Sequence, residues 1–170
     1  AELQRIVERI GEPQVGTIGR VELVPNLVNV VPASATFTVD VRHTDDETLI
    51  NVEREVAALI EEVAAQHGLL VETESLARFA PVVFDDRVVE IVERSAQQRE
   101  LSVKRMPSGA GHDAQMLARV CPSAMVFTPS VRGISHNPAE ITADEDLIAG
   151  CQVLCDVMLE LAATTFQEAK

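Results

Sequence analysis

The 170-residue chain carries 27 acidic and 14 basic residues, a formal net charge of −13 that repels phosphate backbones and anionic membrane surfaces. It has no Trp, no Tyr and five Phe, so the aromatic platform on which unpaired bases stack is missing too, and nucleic acid and membrane are excluded as partners. It is 46% hydrophobic, enough for a core, yet no run reaches the roughly 18 apolar residues of a membrane span and no charged-then-apolar leader opens it.

The chain starts on a helical pattern, which implies upstream sequence. Leu3, Ile6, Val7 and Ile10 recur at helical spacing and Gly11 stops them. Residues 15–24 and 34–42 read as two antiparallel strands. Ala35, Phe37, Val39 and Val41 line one face of the second, and Thr36, Thr38, Asp40 and Arg42 the other. The connection Pro25-Asn26-Leu27-Val28-Asn29-Val30-Val31-Pro32 is too long and apolar for a tight turn.

Thr44 and Glu47 have capping-box spacing. The helix after them has Leu49, Val52, Val56, Leu59, Ile60 and Val63 on one side and ends at Gly68. A third strand is expected at 69–78. Residues 1–78 thus read as most of a split β-α-β sandwich, with helices on one face of an antiparallel sheet.

Beyond a crossing point at Arg78-Phe79-Ala80-Pro81, a helix is predicted from Asp85 to Gln98 with Val88, Val89, Ile91 and Val92 inward. A short strand at 101–105, a helix at 113–119 and a doubly buried strand at Ala124-Met125-Val126-Phe127 follow. The last helix, with Thr142 and Glu145 as its capping box, is expected to pack through Leu147, Ile148, Cys151, Leu154, Cys155, Met158 and Leu161. This half alternates helix and strand as α/β domains do. Cys121, Cys151 and Cys155 form no disulfide framework, and the last two read as small core hydrophobes in a reducing cytoplasm.

Three features carry candidate chemistry. Ser108-Gly109-Ala110-Gly111-His112-Asp113 is a small, flexible loop at a helix start, where bare N–H groups can face an anion. The alternative is a plain turn with an Asp cap. Gly133-Ile134-Ser135-His136-Asn137-Pro138-Ala139-Glu140 precedes a helix. There His136 can offer a metal a neutral ring nitrogen and Glu140 can orient that ring, or His136 is a plain surface His. Arg42, on the polar strand face, suits bidentate capture of a carboxylate, or a solvated ion pair with Asp40. His43 reads as a strand-end residue and His67 as a helix-end residue near the dipole.

Together with Val15-Gly16-Thr17-Ile18-Gly19-Arg20, the 25–32 connection and Asp40-Val41-Arg42, these loops occur in an order that resembles the amidase/hydantoinase/carbamoylase family of two-zinc hydrolases. The resemblance covers essentially the whole chain. It implies hydrolysis of the carbamoyl or ureido C–N bond of N-carbamoyl-L-amino acids, allantoate or β-ureidopropionate, by a cytoplasmic homodimer holding two divalent ions, zinc with manganese or cobalt as alternatives. Residues 1–79 would be the second half of a ferredoxin-like lid and dimerisation domain, and residues 80–170 the C-terminal part of the α/β catalytic domain.

The resemblance makes His136 a metal ligand. It gives Asn29 and Arg42 the substrate's polar backbone and carboxylate, and Gly111 and His112 a substrate contact. The family's other ligands and its Glu general base lie in an N-terminal half with no counterpart here, which implies that these residues alone are inactive. Two other readings are an aminoacylase or exopeptidase of the same clan, and a non-catalytic dimerisation or ligand-binding module.

Overall fold

The computed structural model describes residues 1–164, which divide into two compact units. The first comprises Ala1–Pro81 with Pro107–Gly109, and the second Val82–Met106 with Ala110 onward.

In the first unit, helix α1 (Glu2–Ile10) leads through Gly11 into strand β1 (Val15–Val24), and β1 pairs antiparallel with β2 (Ser34–Arg42). The register runs from Val15 opposite Arg42 to Val24 opposite Ser34 and shifts between Ile18 and Val21. Gly19 and Arg20 there face the single residue Thr38, whose hydroxyl accepts from the Arg20 N–H at 3.2 Å. This is a β-bulge, which bends the ribbon.

Helix α2 (Asp46–His67) lies against β2 and ends at Gly68, whose φ of 64° is the left-handed geometry that glycine adopts without a Cβ clash. The core is Ile6, Val52 and Val56, with Leu3, Ile10, Val39, Val41, Leu59 and Ile60 packed on it. Val52 is 1% exposed. Since Val39 and Val41 face this core, strand alternation turns Asp40 and Arg42 the other way. Phe37, on the apolar face but nearer the connection, stays exposed. α1 meets β1 closely: a Cβ on Gly16 would stand 2.7 Å from Val7 Cγ2.

Two expectations for this unit need correction. The helix cap is Asp45, whose carboxylate accepts from the Thr48 N–H at 2.7 Å, not Thr44 with Glu47. No strand forms at 69–78: the sheet among the described residues has two strands, and 69–78 has no neighbour with which to exchange main-chain hydrogen bonds. Leu70 and Leu76 are exposed in consequence.

The second unit rests on two helices. α3 (Asp86–Gln98), capped by Asp85, packs on α5 (Asp144–Ala163), and Ile91, Ala96, Val153 and Val157 form the core with Val92, Leu101, Val126 and Leu161 against it. Arg99 grips Asp156 through Nε at 2.6 Å and Nη2 at 2.9 Å, and the Ser95 hydroxyl donates to the same carboxylate at 3.2 Å.

The expected strands at 101–105 and 124–127 do not form among these residues, and Phe127 is exposed. α5 starts on Ala143 without a side-chain cap, so Thr142 and Glu145 make no box. Its buried stripe is Val153 and Val157 with Leu161. Leu147, Ile148, Cys151, Leu154, Cys155 and Met158, expected to be buried, are exposed, and so is Cys121. The packed stripe is the one that meets Ile91 and Ala96 of α3, and Asp156 beside Val157 pairs there with Arg99 of the α3 C-cap. No helix of the described residues is long and apolar enough to cross a membrane.

Candidate functional site

Arg42 is the last residue of β2, and its guanidinium is held on two sides. Nε donates to Asp40 Oδ1 at 2.8 Å and Nη2 to Asp40 Oδ2 at 2.6 Å. This parallel fork is reached because residues two apart on a strand share a face. Nη1 donates to the Gly109 carbonyl at 2.6 Å, inside the same unit, since Pro107–Gly109 returns to the ribbon.

The Arg42 main chain is held as well. The Gln14 amide, 6% exposed, donates to the Val15 carbonyl at 2.7 Å and the Arg42 carbonyl at 3.1 Å. Accepting from Arg42 holds the Asp40 carboxyl below its ordinary range against the opposing effect of burial. The same bond raises Arg42. The solvated Asp40 pair weighed from sequence is therefore present, with a carbonyl added as a third anchor.

Asn29 is not beside this group. It sits exposed in the turn between β1 and β2, while Arg42 lies eight residues beyond Ser34, at the far end of the ribbon. At about 3.3 Å per residue the strand alone spans roughly 26 Å, so a single chain keeps the two apart.

In the second unit, His112 is the N-cap of α4 (Asp113–Leu117), shorter than the expected 113–119 helix and capped one residue before Asp113. Gln115 Oε1 accepts from the His112 N–H at 3.2 Å. The His112 ring meets the edge of Phe127, with centroids 5.5 Å apart at 64°. Gly111 next to it has open space where a Cβ would stand.

The His136 loop is closed on itself. Val131 N–H donates to the Ile141 carbonyl at 2.8 Å across its base, after which Val131–Gly133 forms a 3-10 turn. The Ser130 hydroxyl donates to the Ile134 carbonyl. Asn137 Oδ1 accepts from the Ala139 N–H at 2.9 Å. His136 is exposed and has φ 54°, a left-handed conformation rare for a residue with a Cβ. Glu140 Oε2 accepts from the His136 N–H at 2.8 Å, so the carboxylate holds the backbone of His136 rather than its ring.

Among the described residues, no three His, Cys, Asp or Glu side chains gather to hold a cation. A metal centre needs three or four protein ligands, so these residues do not fit a complete one. Sequence reasoning gave Asp40 only as a plain partner and missed Gln14, whose bond to a carbonyl 28 positions away has no local signature.

Residues 3–160 match the model of peptidase family M20/M25/M40. The chain is 37% identical over 155 residues to an allantoate amidohydrolase of Escherichia coli, covering 91% of this chain and 38% of that protein. It is 35% identical over 148 residues to an N-carbamoyl-L-amino acid amidohydrolase of Geobacillus stearothermophilus, covering 87% of this chain and 36% of that one. A hydantoinase/carbamoylase family amidase of Burkholderia vietnamiensis superposes with a TM-score of 0.87 at 36% identity, over 96% of this chain and 40% of that structure. The chain thus spans about two fifths of the length of the proteins it matches.

Proposed function

The chain belongs to peptidase family M20/M25/M40, and from that membership and the anchored Arg42 we propose that the whole protein hydrolyses the carbamoyl or ureido C–N bond of small carboxylate-bearing substrates: N-carbamoyl-L-amino acids, allantoate or β-ureidopropionate. The observation that carries this reading is the Arg42 guanidinium, fixed at the end of β2 by Asp40 and the Gly109 carbonyl. A planar fork held still captures a carboxylate with little further ordering, and orienting the substrate lowers the barrier to attack at its carbonyl. The relatives named for allantoate and N-carbamoyl amino acids support the substrate class.

His112, with the open backbone at Gly111, is proposed as a substrate contact. Asn29 keeps a substrate-binding role only in a site separate from Arg42 of the same chain. His136 is proposed as one ligand of a divalent-metal centre, zinc with manganese or cobalt as alternatives, and Glu140 as the residue that fixes its backbone. When bound, such a metal supplies Lewis acidity and a more acidic water. These 170 residues alone would bind zinc weakly and hydrolyse nothing, because the ligand set is incomplete.

In domain terms, residues 1–79 are proposed as the second half of a lid and dimerisation domain of a cytoplasmic homodimer, and residues 80–170 as part of the catalytic domain. The test is to assay the full-length protein on N-carbamoyl and N-acetyl amino acids before and after chelation. Carbamoyl hydrolysis abolished by chelator supports the reading. Preference for the acetyl series would assign the protein to the aminoacylases, and turnover of neither series would leave a non-catalytic binding module.

A further inference from the structure

We propose that Asp40 is a positioning residue for Arg42: it occupies the Nε–Nη2 edge of the guanidinium, so that an incoming carboxylate is received by the remaining N–H groups of the two terminal nitrogens. The inference rests on the reading of Arg42 as the carboxylate clamp. A guanidinium has five N–H donors. Asp40 takes the one on Nε and one on Nη2, and the Gly109 carbonyl takes one on Nη1. One N–H is left on each terminal nitrogen, and these are the positions from which a second carboxylate can be met.

An ion pair between long, solvated side chains is ordinarily too mobile to organise anything. Here both ends are short of freedom. Asp40 and Arg42 project from the same strand face two residues apart, and the Gly109 carbonyl stops the guanidinium from turning about its own axis. Behind them the buried Gln14 amide holds the Arg42 carbonyl and that of Val15. Its orientation is fixed, since both neighbours are acceptors and only the NH2 end can satisfy them.

Removing Asp40 has two opposed consequences. It frees a positive charge, which favours anions, and it releases the fork, which disfavours a shaped one. At 48% exposure of the Arg42 side chain, water and salt screen the charge effect, whereas neither screens the loss of orientation. Orientation therefore decides the sign. Asparagine worsens it, because its NH2 meets one of the two guanidinium donors, Nε–H or Nη2–H, head-on.

The experiment is steady-state kinetics of the full-length protein on whichever carboxylate substrate it hydrolyses, an N-carbamoyl-L-amino acid or allantoate, and on the corresponding neutral amide. Wild type, Asp40→Asn, Asp40→Glu and Arg42→Ala are compared. Asp40→Asn is expected to lower kcat/KM for the carboxylate about 10-fold, with the larger part of the loss in KM, and to lower that for the amide far less. Asp40→Glu should recover part of the KM.

If Asp40→Asn leaves the carboxylate KM unchanged while Arg42→Ala raises it, the clamp stands and the positioning role falls. If Asp40→Asn harms both substrates equally, Asp40 serves only the ribbon, which also overturns the inference. If Arg42→Ala keeps the full preference for the carboxylate, the reading of Arg42 fails and the role of Asp40 fails with it.

Discussion

In the first unit the chain meets itself at short range. β1 and β2 are joined by residues 25–33 and pair from Val15–Arg42 to Val24–Ser34. In the second unit the segments expected as strands at 101–105 and 124–127 have no strand beside them among the described residues, and the core comes from α3 and α5 instead. A stretch with strand-like side chains is only half of a strand. The other half is a neighbour whose N–H and C=O groups face it, and a helix, which satisfies its own backbone, needs no such partner.

Both units are most vulnerable in their buried centres. Val52→Asp and Val153→Asp each place a carboxylate among aliphatic side chains and should each cost about 4 kcal/mol or more. Val28→Asp, at a fully exposed position of the connection, should stay within about 0.5 kcal/mol. Urea unfolding measures all three, and a large loss at Val28 would mean that the connection is covered.

A smaller effect probes the crossing of α1 over β1. Gly16→Ala drives a methyl against Val7 and Leu3 and should cost about 2 kcal/mol. Gly111→Ala, with open space around it, should cost less than about 0.5 kcal/mol.

The Asp40–Arg42 pair adds a pH signature. Asp40 has a folded pKa below its ordinary 3.8, so its contribution to stability is present above that value and is lost as pH falls through the lowered one. The stability advantage of wild type over Asp40→Asn should therefore be fully present above pH 3.8 and shrink as pH falls below it. A difference that grows in acid would contradict the pairing.

The mildest test concerns the start of α2. Asp45→Ala should lower the melting temperature measurably and Thr44→Ala should leave it unchanged, because the Asp45 carboxylate holds the Thr48 N–H.

Legibility in the sequence followed the range of the interaction that decides each element. Periodicity places α1, α2 and α3 within a residue or so, and alternation places β1, β2 and the outward face of Arg42, because those signals sit within a few residues. Thr44 and Asp45 are both competent caps, and it is the Asp45 carboxylate that reaches the Thr48 N–H. α5 has two candidate stripes, and the one that packs does so against Ile91 and Ala96 of α3, more than 50 positions away in the chain. The anchoring of Arg42 by Gly109 and Gln14 depends on partners 67 and 28 positions away. Pattern reading found the residue and missed two of the groups that hold it.

The most direct test of the account is the substrate discrimination of Arg42→Ala in the full-length protein. Catalytic efficiency is compared on the carboxylate substrate and on its neutral amide. A bidentate clamp predicts a loss of about 30- to 1000-fold on the carboxylate. The amide, poor for wild type, should be little changed, so the mutant nearly ceases to distinguish the two, and Arg42→Lys should recover only part of the loss because an ammonium lacks the planar fork. An Arg42→Ala protein that retains the wild-type preference for the carboxylate would contradict the account and place the carboxylate elsewhere than at the end of β2.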